Sequence, residues 1–209
     1  TPASGSALSI GSDYLVSDAD FKKLVTVLRL SVPYTGLIIT ARENAPLKKE
    51  VIQVGCTQTD ASTKIGIGGY TEALKELSHL ERQNQEIDKQ QFILGDTRRL
   101  DDVVRELAEM GMITSFCTAG YRCGRTGEKI MGLLKSCTEG KFCKLNAVLT
   151  FREYLDDFAS PETKAVGEKL IVQELAQIRE IPFFQKGSLL ETFEKMYQDI
   201  IKGKRDVYI

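Results

Sequence analysis

Gly36-Leu37-Ile38-Ile39-Thr40 is a short apolar run between turn residues, and the reading of the chain around it turns on that run. Such a run is expected of a strand buried on both faces of a parallel sheet. Upstream, Ser17 with Asp20 three residues later precedes Phe21, Leu24, Val25, Val27 and Leu28. This pattern predicts an N-capped amphipathic helix over 18–31, stopped before Pro33. Downstream, a second helix is expected over 45–54, then a candidate strand at Gly55-Cys56-Thr57-Gln58-Thr59. After a long connection, Leu100 to Met110 reads as a helix with Asp101 and Asp102 in its first turn, and Met112-Ile113-Thr114-Ser115-Phe116 reads as a third strand. Strands alternating with helices define an α/β chain of parallel units. Three strands neither close a barrel nor cover both faces of a sheet, so an open edge is expected to meet a partner or a second copy.

Composition narrows the function classes. The chain of 209 residues has a formal net charge of −1 and interspersed charges, which argues against nucleic acid or an anionic membrane surface as partner. No apolar run approaches the roughly 20 residues of a membrane helix, and the first residues lack a signal-peptide pattern, so a cytoplasmic protein is expected. Residues 1–12 are small and polar and read as a loosely held opening segment. The odd count of 5 cysteines argues for reduced thiols or metal ligands over a disulfide framework.

Four of those 5 cysteines fall between 117 and 143: Ser115-Phe116-Cys117-Thr118-Ala119-Gly120-Tyr121-Arg122-Cys123-Gly124-Arg125-Thr126-Gly127 holds two, and Cys137 and Cys143 follow it. Cys117 and Cys123 form one C-x5-C pair, and Cys137 and Cys143 form another. Four soft thiols at this spacing suit one iron-sulfur cluster or a zinc ion. The competing reading is that they are small buried hydrophobes. Arg122, Arg125 and Lys129 favour thiolates, and Gly120, Gly124 and Gly127 let the backbone curl toward an anionic centre. The loop Lys64-Ile65-Gly66-Ile67-Gly68-Gly69-Tyr70 lacks the spacing of a phosphate cradle. His79, the single histidine, lies in a polar surface excursion over 71–91. The rest is expected to be helical: a segment capped by Asn146, a longer one opened by Ser160-Pro161-Glu162, and a last one with a Ser188/Glu191 capping box.

The cysteine window, with Phe142-Cys143, Asn146-Ala147-Val148-Leu149-Thr150-Phe151-Arg152-Glu153-Tyr154-Leu155 and Lys202-Gly203-Lys204-Arg205-Asp206-Val207-Tyr208-Ile209, resembles the C-terminal part of the HydG family of iron-iron hydrogenase maturases. These are radical S-adenosylmethionine tyrosine lyases, related to the tyrosine lyase of thiamine synthesis. The resemblance runs from about Tyr14 to Ile209. It implies that residues 1–116 are the last three strands of a TIM-type (β/α) barrel, and that 117–209 form a helical domain carrying an auxiliary 4Fe-4S cluster.

The resemblance also implies roles for particular residues. Ala41-Arg42-Glu43 matches the family segment whose arginine holds the tyrosine carboxylate, and Asp60 stands at the next strand end, where a small hydroxyl residue is expected. A carboxylate there repels the substrate's own carboxylate unless it is protonated or paired. The family's C-x2-C-x22-C pattern falls on Cys117, Gly120 and Cys143, so the middle ligand is a glycine. Cys123 is then the expected replacement, giving Cys117, Cys123 and Cys143 as cluster ligands, with Cys137 spare. No C-x3-C-x2-C motif is present. S-adenosylmethionine and a second 4Fe-4S cluster therefore belong to the missing barrel half, and this chain alone is expected to be inactive. The family reaction takes tyrosine to p-cresol, carbon monoxide and cyanide and assembles an Fe(CO)2(CN) cysteine unit. Its partners would be the missing half and other hydrogenase maturation proteins. The rival reading is a non-enzymatic iron-sulfur or metal scaffold derived from that family.

Overall fold

The computed structural model describes residues 11–70, 90–116, 124, 126–136 and 139–209. Two compact units divide the chain, Thr1–Leu100 and Asp101–Ile209. The described elements are α1 (Asp18–Ser31), β1 (Ile38–Ile39), α2 (Ala45–Val54), β2 (Gln58–Thr59), α3 (Leu100–Glu109), α4 (Gly127–Lys135), α5 (Glu139–Asp157), α6 (Pro161–Glu180) and α7 (Leu189–Ile201).

In the first unit, helix starts follow from local chemistry. The Ser17 side chain accepts from the Asp20 amide, and α1 ends where Val32 donates to the Leu28 carbonyl just before Pro33. Asn44 caps α2 by accepting from the Leu47 amide at 2.9 Å, with Pro46 in the first turn. The helix returns the chain so that β2 lies parallel to β1, Ile38 beside Gln58 and Ile39 beside Thr59. Val25, Ile39, Leu47, Val51 and Cys56 form the core between the helices and this sheet. The strand was expected to be buried on both faces, and here the structure differs: Ile39 is 3% exposed but Ile38 is 66% exposed. Among the described residues nothing covers the second face.

The second unit is organised around α5. Leu145, Val148, Leu149, Phe151, Tyr154 and Leu155 are all buried, so apolar positions occur around most of its circumference, as in a helix enclosed by others. Helices α4, α6 and α7 pack against it. Val104 and Ala108 of α3, Leu170, Ile171 and Ile178 of α6, and Phe193 and Ile200 of α7 complete the cluster. Gly167 makes the α5–α6 approach possible, because a Cβ there would stand 2.6 Å from Leu155 Cδ2. Asp101 ties α3 to the start of α6, accepting from the Ser160 amide at 3.2 Å, Thr163 Oγ1 at 2.8 Å and the Tyr154 hydroxyl at 3.1 Å.

Several expectations are corrected. Met112–Phe116 forms no strand among the described residues; Ile113 and Phe116 pack on the helical core, with the Phe116 ring 5.0 Å from that of Tyr154 and its amide donating to Thr150 Oγ1. Asn146 caps nothing. It sits inside α5, where its side chain donates to the Ile209 carbonyl at 2.9 Å and accepts from the Ile209 amide at 2.8 Å. Ser188 precedes α7 without a side-chain capping bond. Phe158, which the sequence pattern groups with Val148, Leu149, Tyr154 and Leu155 as apolar positions of the segment after Asn146, is 76% exposed just past the end of α5.

Candidate functional site

Because β1 and β2 are parallel, the residues following them emerge at the same end of the sheet. Arg42 and Asp60 are both there. A third segment joins them: the Ala41 carbonyl accepts from the Gly95 amide at 2.8 Å and the Asp96 amide at 3.0 Å. The approach is close enough to require glycine, since a Cβ at Gly95 would lie 2.6 Å from the Asn44 nitrogen and the Glu43 carbonyl carbon. Phe92 from the same segment lies under Arg42, whose guanidinium carbon is 4.2 Å from the ring centroid. Arg42 itself is exposed.

The charges at this end converge on a buried lysine. Lys48, on the first turns of α2, is 2% exposed. Its Nζ donates to the Asp60 carbonyl at 2.9 Å and lies 3.1 Å from Asp96 Oδ2 and 3.6 Å from Asp60 Oδ1. Asp60 is thus paired, and Thr63 Oγ1 donates to its other oxygen at 2.9 Å. Asp60 Oδ1 is buried without a hydrogen bond among the described residues. Asp96 also accepts from Arg98: Nε to Oδ1 at 3.0 Å, Nη2 to Oδ2 at 3.0 Å, and the Arg98 amide at 3.1 Å. Burial pushes the Asp96 carboxyl up, but the bonds from Arg98 and Lys48 outweigh it and hold the group at about 2.

Sequence reasoning placed Arg42 and Asp60 at these strand ends but missed Lys48, Asp96 and Arg98. The available signal was Gly95-Asp96-Thr97-Arg98, a carboxylate and a guanidinium two residues apart after a glycine.

Of the expected cluster ligands, Cys143 lies near the start of α5 and is half-buried, flanked along the chain by Phe142 and Lys144. Lys144 Nζ donates to Glu174 Oε2 at 2.5 Å and to Gln177 Oε1 at 3.0 Å, and Lys141 stands 4.1 Å over the Phe183 ring. Cys117, Cys123, Cys137, Gly120 and His79 lie outside the described residues. Among the described residues no three His, Cys, Asp or Glu side chains come together as a metal site. Of the expected thiolate centre, the described residues include one ligand. Cys143 is a partly accessible soft ligand, and Thr114 Oγ1 and Ser115 Oγ, just before Cys117, are buried without hydrogen-bond partners among the described residues. Cys56 does not belong to it: burial pushes its thiol up, with Arg29 opposing, as in an inert core cysteine. No helix among the described residues is long and apolar enough to cross a membrane.

The comparisons with known proteins place this chain in a family. Residues 1–113 match the Biotin and Thiamin Synthesis associated domain, more than half of the chain, which therefore belongs to that family. Among solved structures it is similar to HydG, described as a maturase of the FeFe-hydrogenase, at 40% identity and a TM-score of 0.79 over 94% of this chain and 39% of that one. It is also similar to the FeFe-hydrogenase maturase HydG from Carboxydothermus hydrogenoformans, at 30% identity and a TM-score of 0.57, over 89% of this chain and 35% of that one. The resemblance to HydG drawn from the cysteine window is borne out. The chain spans well under two thirds of the length of either structure. No curated protein matches it.

Proposed function

We propose that this chain is the part of a HydG-type tyrosine lyase that holds the substrate carboxylate and the auxiliary cluster, and that it works together with the barrel half bearing the S-adenosylmethionine cluster. One observation carries this reading: the likeness to HydG extends over 94% of the chain at 40% identity, through both the strand ends and the helical unit. The parallel β1–α2–β2 unit is then the remnant of the last strands of a TIM-type barrel, and the helical unit is the cluster domain. Arg42 would donate to the tyrosine carboxylate, for which a planar guanidinium backed by Phe92 is suited. Asp60, paired with Lys48, no longer presents an uncompensated negative charge to that carboxylate. Cys117, Cys123 and Cys143 would hold the auxiliary 4Fe-4S cluster, which when bound supplies an iron site for carbon monoxide and cyanide ligands. Other hydrogenase maturation proteins, in the cytoplasm, would receive the product.

A second reading, a non-enzymatic iron-sulfur scaffold, draws on a specific observation: Gly120 occupies the middle position of the family's cysteine pattern. Anaerobic reconstitution with iron and sulfide tests the shared premise. The wild-type chain should gain the broad visible absorption of an iron-sulfur cluster, and Cys123→Ser and Cys143→Ser should each lose most of it. If wild type gains none, or Cys123→Ser gains as much, the proposed ligand set fails. Addition of the barrel half with S-adenosylmethionine and tyrosine then separates the readings, since p-cresol forms only if the chain belongs to a lyase.

A further inference from the structure

Lys48 joins three separate pieces of the first unit: its own helix α2, the residue that ends β2, and the segment that carries Asp96. A buried ammonium costs several kcal/mol to desolvate unless it is paired and hydrogen-bonded, and here it meets two carboxylates and a backbone carbonyl. The two carboxylates are not equivalent. Asp96 has a second cation in Arg98, which meets both of its oxygens. Among the described residues Asp60 has only Lys48 as a charge partner, with a neutral hydroxyl from Thr63. Without Lys48, therefore, Asp96 keeps its compensation and Asp60 loses it.

We propose that Lys48 is a positioning and specificity residue for the site at the strand ends: it neutralises Asp60 and fixes it there, so that this end of the sheet accepts a ligand bearing a carboxylate. The inference rests on the reading that Arg42 and Asp60 border the substrate. Loss of Lys48 turns Asp60 into a repelling anion beside the carboxylate-binding arginine. A purely structural lysine would weaken every ligand alike, whereas this role weakens only ligands carrying a carboxylate and is relieved by removing the charge on Asp60.

The test is calorimetric titration of the full chain with L-tyrosine and with tyramine, which differ by the carboxylate. Wild type is expected to prefer L-tyrosine. Lys48→Met, which keeps the aliphatic stem, should weaken L-tyrosine binding by about tenfold or more, one charge-assisted contact's worth, with little change for tyramine. Lys48→Arg should retain the preference. The double variant Lys48→Met/Asp60→Asn should recover most of the loss, because Asp96 stays paired with Arg98. A wild-type chain without preference for L-tyrosine overturns the substrate reading and this inference with it. A wild-type preference that survives Lys48→Met, or a double variant as weak as the single one, overturns the inference alone. If circular dichroism shows that Lys48→Met does not fold, Asp60→Asn alone decides: it should bind L-tyrosine at least as tightly as wild type, and weaker binding overturns the role assigned to Lys48.

Discussion

Asp96 is where the charge network becomes measurable. Its carboxyl is held at about 2 in the folded chain against an ordinary value of 3.8, so in that range the unfolded chain binds the proton more readily. The stabilisation is complete above the unfolded value and is lost as pH falls from about 4 toward about 2, amounting to about 2 kcal/mol. Asp96→Asn should remove that part of the acid dependence of the first unit's melting and also leave Lys48 short of one buried partner, lowering stability at neutral pH by about 3 kcal/mol. A variant whose melting falls between pH 4 and 2 as steeply as wild type shows that the pairing contributes nothing. Arg42 answers to a different measurement: Arg42→Ala should weaken L-tyrosine binding about ten- to a hundredfold while the reconstituted cluster absorption stays unchanged. Equal affinity assigns Arg42 to structure. Arg42 and Asp60 were legible because a parallel unit sends successive strand ends to one side of the sheet. Lys48 was not, because a lysine in the first turns of a short helix reads as solvated; only the 94–98 segment folded against Ala41 makes it buried. Spacing alone offered four thiols in two pairs, the choice of Cys117, Cys123 and Cys143 came from the family resemblance, and of these the described residues include Cys143.

At the scale of elements, the helices with chemical start and stop signals were legible nearly to the residue. Ser17 and Pro33 bound α1, and the Ser160-Pro161 opening sets the start of α6. The third strand was not, because a five-residue segment with three apolar side chains, Met112, Ile113 and Phe116, is equally served by a strand and by a segment laid on a helix. The ring of Tyr154 decided it, offering Phe116 a stacking surface that pattern reading along one segment does not reveal. Asn146 misled for a related reason: its preference for helix starts is outweighed by two hydrogen bonds to the Ile209 backbone. The α5–α6 contact yields a prediction. Gly167→Ala places a methyl carbon 2.6 to 2.7 Å from the Leu155 methyls, and Leu155 is itself packed into the core. The variant should lose about 1 to 3 kcal/mol in urea unfolding, although alanine is the better helix former. Adding Leu155→Val should restore part of this loss by trimming the obstructing methyls; a double variant less stable by the sum of the two single losses would show that the helices do not meet there.

For the molecule as a whole, the decisive quantity is how little sheet there is. The β1–β2 pair has two strands among the described residues, and a parallel pair this small is not expected to be stable without covering and further pairing. Around it the first unit exposes Ile38 on the strand and Leu24, Val27 and Leu30 on α1. Charge repulsion offers little protection, since the formal net charge of the chain is −1. Unpaired strand edges recruit other chains, so in the absence of the barrel half the purified chain should self-associate as its concentration rises. Sedimentation velocity across a concentration series measures this directly. Ile38→Lys should shift the distribution toward monomer, because a lysine on a short edge strand opposes further pairing. It should leave the melting temperature nearly unchanged, because the replaced side chain is already 66% exposed and exposed substitutions usually move stability by less than about 0.5 kcal/mol. A wild-type chain that stays monomeric at the highest concentrations, or an Ile38→Lys variant that associates as strongly, would mean that this edge does not recruit a partner.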